Sequence, residues 1–386
     1  MKVAMLDPSL FTGRYDDSLC AAMAQFRAQA GAEVTLLGRP MRDTDAIVPQ
    51  GYRYDPHFFR ASEALRRRIG EGRGFRLVKA AEYGLGCAIG DIAPMRAADI
   101  VHVQWLPLAP ADAMLLRRLK RSGVALVHTV HNADAYHDDA GVQGRGYRAL
   151  LDMFDALIVH GDTTRAALAR QGVDQARIHV TPHPPMRLAP ASAQDLAAVP
   201  APIRPRLLFF GTIRPYKGVD LLIDACIALW RRGLDFELAL AGKPFMDIGP
   251  MVEAVTKAGF ADRLVTDFGF LTEPRLDAHM ARADIIAFPY RQIDSSGAFL
   301  SALHHGKAMV TSDAGMFGLL PEGVAARAQA GNAAALGEAL LPLIESAAIR
   351  REAGARARAY GETMGSWKDM GLATIGIYKT VLAGRA

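Results

Sequence analysis

Cysteine is scarce in this chain. Its three residues, Cys20, Cys87 and Cys226, stand far apart and in no CxxC spacing. That excludes a disulfide framework and a cysteine-built zinc site, and leaves buried thiols in a reducing compartment as the expectation. Long apolar runs are missing too. None approaches the roughly 18 to 20 residues of a membrane-spanning helix, and the opening MKVAMLDPSL meets Asp7 and Pro8 before a signal-peptide core can form. A cytoplasmic protein is expected. No short period repeats, so the chain is not a solenoid. Charge of one sign is not abundant either: the net charge is +5.

That charge is unevenly placed. Arg66, Arg67, Arg68, Arg73, Arg76 and Lys79 form one cluster, and Arg117, Arg118, Lys120 and Arg121 a second, beside Leu115, Leu116 and Leu119. Neither carries the interleaved aromatics of a stacking platform, which argues against nucleic acid. Two readings stay open: solvated helix faces, or a surface against anionic phospholipid, where each nearby cation contributes about 1 kcal/mol.

What the chain does have is alternation. Apolar runs (KVAMLD, EVTLLG, DIVHVQW, VALVHTVHN, DALIVHG, RIHVTPH) are separated by helical patterns, as in parallel strands with crossover helices. A Pro- and Ala-rich stretch interrupts this around Pro182 to Pro205, and the pattern restarts with RLLFFG, FELALAG, RLVTDFGF, DIIAFPY and KAMVTSD. The fold class expected is α/β, two doubly wound Rossmann-like domains: residues 1–185, a linker at 186–205, a second domain at 206–360, and a C-terminal helix at 361–386 that packs back on the first. Ligands of such sheets bind at the carboxyl ends of the strands, so the site residues belong there.

At one such end Arg214, Lys217 and Gly218 precede the helix VDLLIDACIALW, whose Leu221, Leu222, Ala225 and Leu229 make a buried stripe. A helix N-terminus already offers free amides to an anion, and two added cations suit a phosphate or diphosphate. Asp294, Ser295, Ser296 and Gly297 precede another helix and form either a second anion cradle or a plain N-cap. In the first half His131 ends its strand, and His137, Asp138 and Asp139 follow in a loop that could supply a general base or, on weaker grounds, a metal ligand. Thr12, Gly13 and Arg14 follow the first strand and could meet a phosphate or hydroxyl.

These residues resemble the GT-B glycosyltransferases, in particular the large retaining, family 4-like group that uses nucleotide sugars in bacterial glycan assembly. The resemblance rests on FFGTIRPYKGVDLLIDA, LVTDFGFLTEPRLDAHMARADIIAFPY, HHGKAMVTSDAG, the HTVHN strand end and the SW…IYKTVL tail. It implies two domains facing each other across a cleft, and donor-diphosphate contacts from Arg214 and Lys217. It also implies a base-binding loop with Gly269, Phe270 and Leu271, a sugar contact from His131, amide contacts from Ser296, Gly297 and Ala298, and Gly13 facing donor and acceptor. No cofactor and no metal are implied, and the partners are a nucleoside-diphosphate sugar and a glycan or polyprenyl-diphosphate-linked acceptor. The group's two glutamates are replaced here by Ile293 and Ser301, with Asp294 one position from the first. A retaining reaction is expected; were the reaction to invert, Asp138 or Asp139 is the candidate base. The rival readings are a sugar-nucleotide epimerase and a non-catalytic nucleotide-sugar-binding protein of the same fold.

Overall fold

The structure is a computed structural model and describes residues 1–42, 45, 47–70, 72–132 and 146–385. The chain forms two compact units, Met1–Pro184 with Gly365–Ala386, and Pro185–Met364.

The first unit is built on a parallel seven-stranded sheet. In chain order it runs β1 (Lys2–Leu6), α1 (Gly13–Ala24), the single turn α2 (Arg27–Ala30), β2 (Glu33–Leu37), β3 (Arg53–Asp55), α3 (Arg60–Ile69), α4 (Arg73–Ile89), α5 (Ala93–Arg96) and β4 (Ile100–Val103). It continues through α6 (Ala109–Arg121), β5 (Ala125–Thr129), α7 (Tyr147–Leu151), β6 (Ala156–Val159), α8 (Asp162–Arg170) and β7 (Ile178–Val180). The strand order is β3-β2-β1-β4-β5-β6-β7. Every residue of β4, β5 and β6 is buried, because helices cover both faces of the sheet. That is why these strands read as mainly apolar runs, broken only by His102, His128 and Thr129.

The second unit has a parallel six-stranded sheet in the order β10-β9-β8-β11-β12-β13. Its elements are α9 (Ala193–Ala198), β8 (Arg206–Phe210), α10 (Val219–Arg231), β9 (Glu237–Gly242), α11 (Gly249–Lys257), β10 (Leu264–Phe268), α12 (Glu273–Arg282) and β11 (Ile285–Phe288). Then follow α13 (Gly297–Ala302), β12 (Ala308–Ser312), β13 (Ala326–Ala328), α14 (Ala333–Glu345) and α15 (Ala347–Thr363). The last helix, α16 (Trp367–Ala383), belongs to the first unit and packs on α1.

Three details differ from the sequence reading. The short edge strands β3 and β13 carry no apolar run to announce them. The Pro- and Ala-rich stretch is not bare linker: Ser192 and Asp195 form a capping box that starts α9. That segment is tied to α12 by Ala189 N–H to Glu273 (2.8 Å) and Ala191 N–H to Asp277 (2.9 Å). Finally, α10 is apolar on most of its circumference, with Ile223, Cys226, Ile227 and Trp230 buried, while Leu221 of the expected stripe is only half-buried.

In each sheet the strand order reverses direction beside the first strand of the unit, β1 next to β4 and β8 next to β11. Loops diverge at such a switch point and open a crevice at the strands' carboxyl ends.

Candidate active site

The carboxyl end of β8 turns through Gly211 into a 3-10 turn, Pro215–Lys217, and Gly218 then caps α10. Gly218 has φ +67°, and a Cβ there would lie 2.1 Å from the carbonyl oxygen of Pro289, just after β11. Only glycine lets these two loops approach so closely. Arg291 braces the same junction, donating to the Pro215 carbonyl (2.8 Å) and to both oxygens of Asp220 (2.8 and 2.5 Å). Lys217 is buried, with its ammonium 5.3 Å from the Tyr290 ring centre. Burial, and then the Arg214 charge beside it, push its pKa down to about 8.

Arg214 lies over the ring of Phe245 at 4.2 Å, and Lys243 over Phe270 at 3.9 Å and Phe245 at 5.3 Å. These residues come from loops after β8, β9 and β10, which are neighbours in the sheet. Among the described residues none of Arg214, Lys217 and Lys243 pairs with a carboxylate. Three cations without counter-charges, around exposed rings of Phe245 and Phe270, make a surface for an anion attached to a flat aromatic group.

The loop beyond β10 holds Gly269, Phe270 and Leu271. The Asp267 side chain before it is already committed: burial opposes its charge, but hydrogen bonds from His279 (2.8 Å) and Arg275 (2.7 Å) win and hold the carboxyl below its ordinary range. Beyond β11, Asp294 is buried, and Ser296 caps α13 by accepting the Phe299 N–H at 3.2 Å. The Ser296 amide points to the Met316 sulfur at 3.1 Å. The N-cap reading therefore accounts for Ser296, and Gly297 and Ala298 open the helix beside Ser295.

In the first unit His131, His160 and His183 follow β5, β6 and β7, and gather around Tyr15 with ring centres 4.9, 5.3 and 5.1 Å from it. Trp367 closes the group at 5.3 Å from Tyr15. His131 stacks on Trp105 (5.2 Å, 5°), and its Nε2 pairs with the Gln104 amide oxygen at 3.0 Å. Burial, then the neighbouring histidines, hold His131 well below its ordinary pKa. Burial lowers His160 to about 4 and His183 to about 3. All three are neutral rings at pH 7. Trp105 donates to the Thr12 hydroxyl (2.9 Å), and Gly13 opens α1, where a Cβ would press on Ile47 at 3.0 Å. Asp138 and Asp139 lie outside the described residues.

Among the described residues, one cluster has metal-ligand chemistry: Asp277, His304 and His305, with ligand atoms within 4.8 Å of one another. His304 and His305 precede β12, at the end of the sheet opposite the loops above. Burial lowers the pKa of both histidines, while the Asp277 charge raises it and the charges of Arg187 and Arg358 on His304, and of Lys307 on His305, lower it. The three cysteines are buried, as expected.

Residues 13–184 match the profile of the glycosyl transferase 4-like domain, and residues 204–346 that of the glycosyl transferases group 1. The chain is a glycosyltransferase carrying these two domains. A GDP-mannose:glycolipid 4-beta-D-mannosyltransferase of Xanthomonas campestris pv. campestris is 26% identical over 312 residues, 74% of this chain and 76% of that protein. Among solved structures, the fold is similar to sucrose-phosphate synthase from Thermosynechococcus elongatus (TM-score 0.70, 18% identity, 100% of both chains). It is also similar to Anabaena HepE in complex with UDP and glucose (TM-score 0.69, 15% identity, 98% of this chain and 100% of that one). These neighbours establish the GT-B fold.

For this glycosyltransferase the sequence reading singled out Arg214 and Lys217 but passed over Lys243 and Phe245. The same strand-end rule applied to FELALAGKPF would have found them. His160, His183, Tyr15 and Trp367 carried no local signal, because they meet only after the sheet forms and α16 returns to it.

Proposed function

We propose that this glycosyltransferase moves a sugar from a nucleoside-diphosphate sugar to a polyprenyl-diphosphate-linked glycan at the inner face of the cytoplasmic membrane, in bacterial cell-surface polysaccharide assembly. GDP-mannose is the first donor to test. The observation that carries this reading is the set of unpaired cations Arg214, Lys217 and Lys243 at adjacent strand ends, beside the exposed rings of Phe245 and Phe270. The name of the Xanthomonas relative supports the choice of donor and of a lipid-linked acceptor.

As the bond from the anomeric carbon to the diphosphate breaks, negative charge grows on the leaving oxygen. Arg214 and Lys217, at the N-terminal end of α10, face that charge, and preorganised cations there lower the barrier without a divalent cation. Phe270 and Phe245 take the base. His131, neutral and held by Gln104 and Trp105, orients the sugar and carries no proton to the reaction at pH 7.

The retaining course follows from the family resemblance. Inversion is the second reading, favoured by the β-linkage in the relative's name. The mannosyl phosphate of GDP-mannose is α-linked, so forming a β-mannoside inverts that centre and needs a base, for which Asp138 and Asp139 are the candidates. Proton NMR of the product's anomeric centre separates the two.

The central test is Arg214→Ala with Lys217→Ala. Charge-assisted hydrogen bonds contribute about 1.5–3 kcal/mol each, so the pair should lose at least about 100-fold in turnover with the melting curve preserved. Calorimetric binding of GDP and UDP by the wild type should be unchanged by EDTA. Wild-type turnover in the double variant would remove the reading.

A further inference from the structure

Helix α4 buries one side and leaves the other bare. Phe75, Tyr83 and Cys87 face the core, whereas Leu77, Val78, Leu85 and Ile89 are 73, 40, 62 and 74% exposed. At about 100° per residue these four, with Ala81 and Ala88, fall within an arc of about 120° opposite the buried side. An exposed leucine by itself is ordinary; a continuous strip of four large apolar side chains along one helix marks a contact surface. Among the described residues no helix is long and apolar enough to cross a membrane, so the strip is not part of a span.

Cations lie near one end of the strip: α6, which packs on α4, carries exposed Arg117, Lys120 and Arg121 in its last turns. The member of that cluster that is not free, Arg118, donates to the carbonyls of Cys87 (2.9 Å) and Gly90 (2.7 Å), which pins the basic last turn of α6 to the C-terminal end of α4. Of the nearby carboxylates, Asp91 follows α4 and caps the Ala93 N–H (2.7 Å), and three others are engaged away from the cations of α6. Glu82 accepts the N–H groups of Ala61 and Ser62 (2.9 and 2.7 Å), Glu63 pairs with Arg42 and Arg66 (2.5 and 3.0 Å), and Asp112 accepts the Tyr83 hydroxyl (2.6 Å). An apolar strip with an excess of exposed cations near its C-terminal end matches the boundary between acyl chains and anionic headgroups.

We propose that α4 is an in-plane anchor on an anionic bilayer. Leu77, Val78, Leu85 and Ile89 enter the acyl boundary, while Arg117, Lys120 and Arg121 meet lipid phosphates. A second copy of this chain fits the surface less well, because a two-fold contact through the strip sets the same cations against each other. This assignment stands or falls without the transferase reading, since membrane partition is measured with no donor, acceptor or turnover.

The experiment is co-sedimentation of the full chain with vesicles of phosphatidylcholine alone, or of phosphatidylcholine with phosphatidylglycerol. The wild type is expected to pellet with the anionic vesicles and to be released by salt. The variant Leu77→Asp/Leu85→Asp/Ile89→Asp should lose at least about tenfold in partition, since burying those side chains drives binding. Arg117→Gln/Lys120→Gln/Arg121→Gln should lose the preference for anionic lipid. The substituted positions are exposed, so unchanged circular dichroism and melting curves are expected. Should the aspartate variant misfold, Leu85→Trp with brominated lipids gives an independent reading: quenching supports insertion, and its absence overturns it. Wild-type protein that stays in the supernatant, or a folded aspartate variant that binds as the wild type does, also overturns the proposal. So does a lipid-free dimer in sedimentation velocity that the aspartate substitutions abolish, which would give the strip to a second copy.

Discussion

Lys217 is a buried ammonium with another cation beside it, an arrangement that is unfavourable until an anion arrives. Its pKa of about 8 makes it charged below that pH and neutral above, so the pH dependence of donor binding has a definite sign. Affinity for a nucleoside diphosphate should be constant up to about pH 8 and then weaken by about tenfold per further pH unit. In Lys217→Arg the charge persists and the fall should vanish; calorimetric titrations across that range check both. Phe270 has a different character, being 58% exposed and packed on Lys243 rather than in the core. Phe270→Ala should leave the melting temperature unchanged while weakening nucleotide binding by about 1–3 kcal/mol, the usual range for base stacking on an aromatic ring. Sequence marks Lys217 by its place after a strand and before a helix, but shows neither its burial nor the packing of Phe270 on Lys243. Their meaning comes from what stands next to them.

At the scale of elements, the site is held by turns rather than by helices or strands. Gly218→Ala would place a methyl 2.1 Å from the Pro289 oxygen at φ +67°. The left-handed backbone costs about 1–2 kcal/mol, and the overlap also forces the loops after β8 and β11 apart. Calorimetry should show a lower melting temperature, by about 2–4 °C for each kcal/mol in a unit of this size, with nucleotide affinity reduced as well. Most elements were legible in the sequence because β4, β5, β6 and β8 are buried at every position and therefore mostly apolar, their few polar members being His102, His128, Thr129 and Arg206. Two of the four edge strands were not, since β3 (RYD) and β13 (ARA) are only three residues long, have one neighbour each and need no apolar face. The helix α9 was hidden for another reason. Its Ser192/Asp195 capping box is a readable start signal, but the surrounding prolines outweighed it.

On the scale of the whole molecule, the first unit is completed by the end of the chain. Helix α16 buries Met370, Ile375, Ile377 and Tyr378, and the Tyr378 hydroxyl meets His102 Nδ1 at 2.6 Å inside the sheet's core. Gly371 lets α16 lie against Ala22 of α1, where a Cβ would come within 3.1 Å. Each buried side chain contributes about 1.5–3 kcal/mol, so losing four removes much of a margin of about 5–15 kcal/mol. A chain ending at Met364 should lose cooperative unfolding of the first unit and keep that of the second. Differential scanning calorimetry with limited proteolysis reads this directly.

The sequence by itself determined the two-fold alternation of buried strands and helices, and the placing of Arg214 and Lys217 after a strand and before a helix. Both follow from local pattern, because a strand covered on two faces is mostly apolar and a strand end must open into a loop. Only the tertiary structure decided which polar groups are spent and which remain available. Ser296 caps the start of a helix, Asp267 is held by His279 and Arg275, and Arg118 braces α4, while among the described residues Arg214, Lys217 and Lys243 have no opposite charge beside them. It also decided the meeting of Tyr15, three strand-end histidines and Trp367 from opposite ends of the chain. Pairing and burial depend on neighbours distant in sequence, and those exist only once the sheets are assembled.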